Sequence, residues 1–409
     1  MRDNNGSDAK LNAMDGEAIE RDGKRGKEGE GGDGSGTQKQ AGEDGKKRKR
    51  PQPWASRSVG NFEVKEQIGS GTYGHVNVAR DKQSNEQVAL KRIKLDEPQG
   101  KEYGFPVTAI REIKILSRLS HENIIQLKEI VTAEKAPSSS PAADDSSPQP
   151  GAGKSSIYMV FELMNHDLQG LLAIGNMQLG EIKCYMRQLL YALSYLHDHG
   201  VLHRDLKLSN ILINKGGIVK LGDFGLARSY RKPSSGQSPG NVLTNNVVTM
   251  WYRPPEVLLG SQDYGPEVDV WSAGCILAEL VTGHTLFSGE TEPQQLELIF
   301  NTCGTPDEGE WPEVSKLPWW GSYKPNDRQN SKLREKLSGL HPGTVEIVER
   351  MLRLNPKQRI TARDAIFDDF FWSEPRPLNP QDVPKRENFL NEQAANKRRE
   401  EKRRQRGHR

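Results

Sequence analysis

His203-Arg204-Asp205-Leu206-Lys207-Leu208-Ser209-Asn210, continued by Ile211-Leu212-Ile213 and then by Ile218-Val219-Lys220-Leu221-Gly222-Asp223-Phe224-Gly225, is the stretch on which this chain turns. Transfer of a phosphoryl group needs one carboxylate to orient and deprotonate a hydroxyl. It also needs a second carboxylate and an amide to hold metal ions against phosphate oxygens. Asp205, Asp223 and Asn210 fit those three needs. Asp205 and Asn210 share one loop, while Ile211 to Ile213 and Ile218 to Leu221 read as two short strands that carry Asp223 to the same place. An HRD or DFG triplet alone is a chance match in many chains. Here its partners stand upstream in the order the chemistry requires.

The first partner is a glycine-rich turn. Phe62, Val64 and Ile68 lead into Gly69-Ser70-Gly71-Thr72-Tyr73-Gly74, after which Val76, Val78 and Ala79 alternate with polar residues. Two strands joined this way let backbone amides approach phosphates without Cβ interference. The same glycine spacing serves dinucleotide-binding folds, where it closes a strand and opens a helix with an acidic residue about 20 positions on. Here a second strand follows, and the next landmark is Val88-Ala89-Leu90-Lys91, a lysine on an apolar strand. Such a lysine needs an acidic partner to stay charged. Pro106 to Glu112 opens an amphipathic helix with apolar Ile110, Ile113, Ile115, Leu116 and Leu119, and Glu112 is the candidate partner. A solvent-facing Glu112 is the bland alternative.

With 409 residues the chain exceeds the size of one core, so two lobes plus tails are expected. A hydrophobic fraction of 34% is low for a wholly globular chain and implies unfolded length. Residues 1–58, rich in Gly, Asp, Glu, Lys and Arg, read as a disordered tail. Within it Lys46 to Pro51 (KKRKRP) is either a solvated charge run or a nuclear-import signal. Residues 135–156, rich in Ser, Pro, Ala, Gly and Asp, read as a disordered insert between two strands. Residues 372–409 read as a Pro-rich and then basic C-terminal tail, whose first part packs irregularly along the body. The last thirteen residues carry eight Lys or Arg against two Glu, which leaves the rest of the chain slightly acidic at a total of +3. Any nucleic-acid affinity therefore belongs to that tail. Cys184, Cys275 and Cys303 have no paired spacing, which argues against a disulfide framework or zinc site and favours a reducing compartment. No apolar run reaches the ~20 residues of a membrane span.

The stretch from His203 to Gly225 resembles the catalytic and metal-binding loops of protein kinases. Pro106-Val107-Thr108-Ala109-Ile110-Arg111-Glu112 resembles the signature helix of the cyclin-dependent kinases, with Val107 where many members have Ser or Ile. The flanks PWASRSVGNFE, FPVTAIREIKIL, HENIIQLKEIVT and SIYMVFELMNHDL resemble most closely the C-class plant cyclin-dependent kinases and their transcription-elongation relatives in animals. The resemblance runs from about Pro53 to Lys402.

It implies an α+β, bilobal protein kinase fold over 59–371. The small β-rich N-lobe (59–161) carries one signature helix, and the larger C-lobe (167–371) is mainly helical. Glu162 to Asp167 is the implied hinge. ATP and Mg²⁺ are the implied cofactors. The adenine would bond to the backbones of Glu162 and Met164, between Ile68, Val76, Ala89 and Leu212, with Phe161 at the back and Gly69, Gly71 and Gly74 over the phosphates. Lys207 would steady the transferred group, Lys91 the phosphates, and Asn210 and Asp223 the metal. Thr244 in LTNNVVT matches the activating phosphosite, received by Arg111, Arg204 and Arg228. Thr72 and Tyr73 stand where some relatives take inhibitory phosphates. Trp251-Tyr252-Arg253 would shape a pocket for the proline after the target residue, Glu256 would pair with Arg359, and Asp269 would hold the catalytic-loop backbone. Leu208 and Gly222 depart from the usual pattern without removing a reacting group, while the departures at Asn246 and Met250 bear on recognition by the activating kinase.

The implied activity is Pro-directed serine/threonine phosphorylation dependent on a cyclin, a T-type cyclin above all, with an activating kinase for Thr244. The implied substrate is the RNA polymerase II C-terminal repeat, and the implied location is the nucleus. A cell-cycle kinase of the same family and a cyclin-binding pseudokinase scaffold are the alternatives. Intact Lys91, Asp205, Asn210 and Asp223 weigh against the scaffold.

Overall fold

Period-two burial builds the first lobe. Strands β1 (Phe62–Gly71), β2 (Gly74–Asp81), β3 (Gln87–Ile93), β4 (Leu127–Thr132) and β5 (Ile157–Glu162) form one antiparallel sheet in the order β1-β2-β3-β5-β4. Val88, Leu90 and Val160 turn to one face, where they pack with Phe62, Ala79 and Val131. Ala89, Met159 and Phe161 turn to the other and join the main core. Helix α1 (Val107–Leu116) lies against that second face, burying Ala109, Glu112, Ile115 and Leu116. Its outer side keeps Val107 and Ile110 in solvent, 68% and 48% exposed.

This computed structural model describes residues 57–71, 74–93, 106–133, 156–230, 249–387, 389–392 and 396, all within the unit Trp54–Arg409. Most of the expected N-terminal tail, the insert up to residue 155, Thr72, Tyr73, Thr244 and the basic end from 397 lie outside the described residues. The ordered body begins earlier than the sequence suggests. Arg57 donates to Asp81 Oδ1 and Oδ2 and to Glu129 Oε1, and Ser58 bridges to Thr132. The connection between lobes is also shorter than expected. β5 runs through Glu162, and His166–Asp167 form β6, so only Leu163 to Asn165 is free of strand.

The second lobe is built on two long helices, α3 (Leu179–Asp198) and α5 (Glu267–Thr282), preceded by the short α2 (Leu168–Ile174) and α4 (Pro255–Leu258) and followed by α6 (Glu292–Cys303). α5 is apolar nearly all round, and Val268 to Leu280 are all buried, as a central helix requires. A buried guanidinium ties it to the chain's later part. Arg359 donates to Glu256 Oε1 and Oε2 at 2.8 and 3.0 Å and lies over the Trp271 ring.

The segment after 371 is a strap that crosses the second lobe and ends at the interlobe cleft. Leu378 N donates to Gly180 O, Val383 is buried, and Arg386 reaches Glu181. Its far end lies directly on α2: a Cβ on Gly170 would stand 2.4 Å from the Leu390 carbonyl oxygen. Glycine there is a requirement of close approach. The strap's anchor is electrostatic. The Glu181 side chain is fully buried, accepting from Arg386 Nη1 at 2.7 Å and from Tyr185 Oη at 3.0 Å. Arg386→Ala would leave that carboxylate buried without a counter-charge, and urea unfolding of the full chain is expected to show a loss of about 3 kcal/mol. Adding Glu181→Gln should recover part of the loss.

Candidate active site

Two small sheets hold the catalytic loop. β6 pairs with β8 (Ile211–Ile213) and β8 with β9 (Val219–Leu221), while β7 (Val201–Leu202) pairs with β10 (Arg228–Ser229). Between these anchors, Asp269 of α5 accepts from the backbone N–H of His203 and Arg204 at 2.9 Å each, and contacts His197 Nε2 at 3.0 Å. Burial works to raise the Asp269 pKa, and these bonds outweigh it, keeping the carboxyl below its usual range. The loop is therefore fixed by a charged group that takes no part in the cleft.

Asp205 sits on this platform, 7% exposed. Its Oδ2 contacts Lys207 Nζ at 3.0 Å and accepts from Asn210 Nδ2 at 3.1 Å. Its Oδ1 accepts from Thr249 Oγ1 at 3.1 Å. Asn210 Nδ2 also donates to the Asp205 carbonyl, which leaves Asn210 Oδ1 as its remaining acceptor. Sequence reading missed Thr249, since nothing in the residues around it announces a contact 44 positions away.

Asp223 enters from β9 with φ +56, a left-handed conformation that Asp tolerates better than most residues. Lys91 Nζ donates to Glu112 Oε1 and Oε2 at 2.9 and 3.0 Å and to Asp223 Oδ1 at 3.1 Å. Burial works to discharge Lys91, but the two carboxylates outweigh it and hold the ammonium above its usual pKa. Burial likewise works to raise Asp223, and the Lys91 charge keeps it below its usual value. Glu112 is pushed up by burial, with Lys91 pulling the other way. One strand, one helix and the loop after β9 thus meet at a single cation.

A cleft of about 290 Å³ opens between the lobes. Ile68, Val76, Ala89 and Leu212 line it, with Phe161, Glu162 and Met164 along the interlobe side. Gly69 and Gly74 lie at the β1 and β2 end. Gly74 has φ +145, and a Cβ there would stand 1.9 Å from the Arg92 carbonyl oxygen, so no other residue fits. Gly222 has a milder reason. A Cβ would approach Leu212 Cδ1 to 2.9 Å and push that side chain toward the cleft. The Glu162 carboxylate points away, accepting from Gln126 N at 2.8 Å and contacting Lys220 Nζ at 3.1 Å.

Asn391 and Glu392 of the strap also line the cleft, which the sequence did not suggest. Asn391 Nδ2 donates to Ile68 O at 2.9 Å, Asp167 N donates to Leu390 O, and Glu392 N donates to Asp167 Oδ2. Burial pushes Asp167 up to about 7 against the pull of the Gly170 and Glu392 amides. Of the three arginines, Arg204 is buried, and Arg111 and Arg228 are half-buried. Tyr252 donates to Glu279 Oε2 at 2.7 Å and Arg253 pairs with Glu292, fixing the segment that follows Thr249. Among the described residues no group of three or more His, Cys, Asp or Glu forms a metal cage, and no helix is long and apolar enough to cross a membrane.

A carboxylate held by a hydroxyl, an amide and an ammonium, facing a cleft with a buried lysine and a second carboxylate, suits phosphoryl transfer. The protein kinase domain model matches residues 62–371. Cyclin-dependent kinase C-2 of Oryza sativa subsp. japonica is 50% identical over 339 residues, 82% of this chain and 63% of that protein. Cyclin-dependent kinase C-3 of the same species is 45% identical over 78% of this chain and 94% of its own length. The CTD kinase subunit alpha of Schizosaccharomyces pombe is 43% identical over 78% of this chain and 50% of its own. The chain thus spans less than two thirds of the first and third of these relatives. The catalytic loop, the lysine and carboxylates of the cleft, and these matches agree that the chain belongs to the protein kinases and, within them, to the cyclin-dependent kinases.

Proposed function

We propose that this chain is a cyclin-dependent serine/threonine kinase that transfers the γ-phosphoryl group of ATP to Ser or Thr followed by Pro, in the RNA polymerase II C-terminal repeat. The observation that carries the reading is the environment of Asp205, whose carboxylate is oriented by Thr249, Asn210 and Lys207 at the mouth of the cleft. Asp205 orients the substrate hydroxyl and accepts its proton as the oxygen attacks the γ-phosphorus, while the bond from that phosphorus to the β–γ bridging oxygen breaks and ADP leaves. Lys207 stabilises charge on the transferred group, and Lys91, oriented by Glu112, holds the phosphates. Asp223 and Asn210 would hold Mg²⁺. Two oxygen donors without a closed cage suit a cation that keeps waters and bonds to substrate phosphates. That ion supplies neutralisation of phosphate charge, and ATP supplies the group transferred.

The kinase domain is assigned to 59–371, with the strap as an integral addition. Val107 and Ile110 present an apolar face on the signature helix suited to a cyclin, and the C-class likeness favours a T-type cyclin. One relative's name, CTD kinase subunit alpha, supports the polymerase-repeat substrate. Thr244 is assigned as the activating phosphosite and the nucleus as the location; Thr72 and Tyr73 stand where some relatives take inhibitory phosphates, or serve loop geometry alone. The test is phosphate transfer by the purified chain to polymerase-repeat peptides, with and without a T-type cyclin. Cyclin-dependent transfer is the expected result. Transfer to a histone-type Ser-Pro substrate alone would assign the cell-cycle branch. No transfer with any cyclin, despite phosphate on Thr244, would favour a scaffold.

A further inference from the structure

Arg204 and Arg359 are two buried guanidiniums of the same lobe, and the chain treats them in opposite ways. Arg359 meets both oxygens of Glu256 and is neutralised in place. The guanidinium of Arg204, a residue 2% exposed, meets no carboxylate among the described residues: its Nε donates to Leu226 O and its Nη1 to Tyr264 Oη, both at 2.9 Å. Among the described residues neither Arg204 nor Arg228 forms an ion pair. A buried cation left with neutral oxygens alone is costly unless an anion joins it. Three of the five Arg204 N–H groups remain for one.

We propose that Tyr264 is a positioning residue of the anion receiver formed by Arg204 and Arg228. Its hydroxyl aims the Arg204 guanidinium while leaving its charge for a phosphate monoester. The occupant is the phosphate on Thr244, so the inference rests on the reading of Thr244 given above. Tyr264 lies in the loop between α4 and α5, 7% exposed, close enough to Arg228 as well as Arg204 for both to act on its hydroxyl. Burial pushes that hydroxyl up against the pull of the two cations, so it meets them as a neutral group. A carboxylate in its place would neutralise Arg204 permanently and compete with the phosphate, as Glu256 would compete at Arg359. A phenyl ring would fill the same space with no oxygen. The backbone of Arg204 is already fixed, at φ +64 with its N–H on Asp269, so the guanidinium is the only part of the residue left to aim.

The test compares Tyr264→Phe with the unsubstituted chain in the full cyclin complex, with Thr244 unphosphorylated or stoichiometrically phosphorylated as verified by mass. The readouts are the gain in kcat/KM on phosphorylation and the rate at which a phosphatase strips Thr244. Loss of one hydrogen bond to a charged group is expected to cut the gain and speed dephosphorylation by about three- to tenfold. Tyr264→Glu should cut the gain further. A merely structural tyrosine would shift Tm and leave the gain and the phosphatase rate unchanged, and that result overturns the proposal. A Thr244→Ala control that keeps full activity would instead overturn the Thr244 reading, and the role of Tyr264 with it.

Discussion

Asp205→Asn is expected to lower kcat on a Ser-Pro peptide by about 10³-fold while leaving nucleotide affinity within about twofold, since a positioned general base contributes roughly 10²–10⁴. The substitution is nearly isosteric. Asn can still accept from Thr249, and the Asp269 bonds to the loop backbone do not involve the Asp205 side chain. Two things change. No carboxylate remains to take the hydroxyl proton, and Lys207 loses the partner 3.0 Å away that orients it. The new amide also presents N–H groups to Asn210 Nδ2, a donor facing a donor, so the metal-holding amide is disturbed as well. Steady-state kinetics beside calorimetric titration with a non-hydrolysable nucleotide separates chemistry from binding. A variant within tenfold of the unsubstituted chain would show that Asp205 is not the base and would leave it at most a positioning role in this loop.

The residues of that loop were legible because the contacts are short in sequence. Asp205 and Asn210 are five positions apart, and the strands between Asn210 and Asp223 are marked by two short apolar runs, close enough in sequence to pair with each other. Lys91 with Glu112 needed more: a charged residue on an apolar strand demands a counter-charge, and the next helix offers one at its buried face. Ionic demands of this kind can be read from sequence because few residues satisfy them. The strap could not be read that way. Leu390 is held through its own backbone, its N–H donating to His166 Nδ1 and its carbonyl accepting from Asp167 N, bonds that almost any residue at 390 could make, and Asn391 meets Ile68 across 323 positions. The local trace is Phe389-Leu390, an apolar pair in a polar stretch, and the glycine at 170 on which Leu390 lies. The early start at Arg57 escaped for a related reason. A single arginine in a tail rich in charge carries no pattern until Asp81 and Glu129 are brought beside it. Thr249 and Tyr264 likewise enter through hydroxyl contacts, and hydroxyls have no periodicity to betray them.

The second large effect is expected at the buried cation. Glu112→Gln removes one of the two carboxylates on Lys91, and the remaining one, Asp223, is the group assigned to Mg²⁺. With Glu112 neutral, Lys91 is drawn onto Asp223, so the metal-holding carboxylate is engaged by the ammonium and the phosphates lose theirs. A loss of about 10²-fold in kcat/KM is expected, near 2.7 kcal/mol of transition-state stabilisation. The decisive measurement is a cycle with Lys91→Met. That change removes the cation outright and should cost more, about 10³-fold, because the phosphates then lose the ammonium and Asp223 its 3.1 Å ion pair. If Glu112 acts through Lys91 alone, the double variant should be no worse than Lys91→Met, since a group that orients an absent lysine has nothing left to do. Additive losses would mean that Glu112 works by a separate route, such as holding α1 in place. Glu112 also accepts from the Phe224 backbone, so that route has a physical basis and the cycle can detect it. Melting temperatures of all three variants, taken with and without cyclin, show how much of the loss is due to a displaced helix and how much to a misplaced charge.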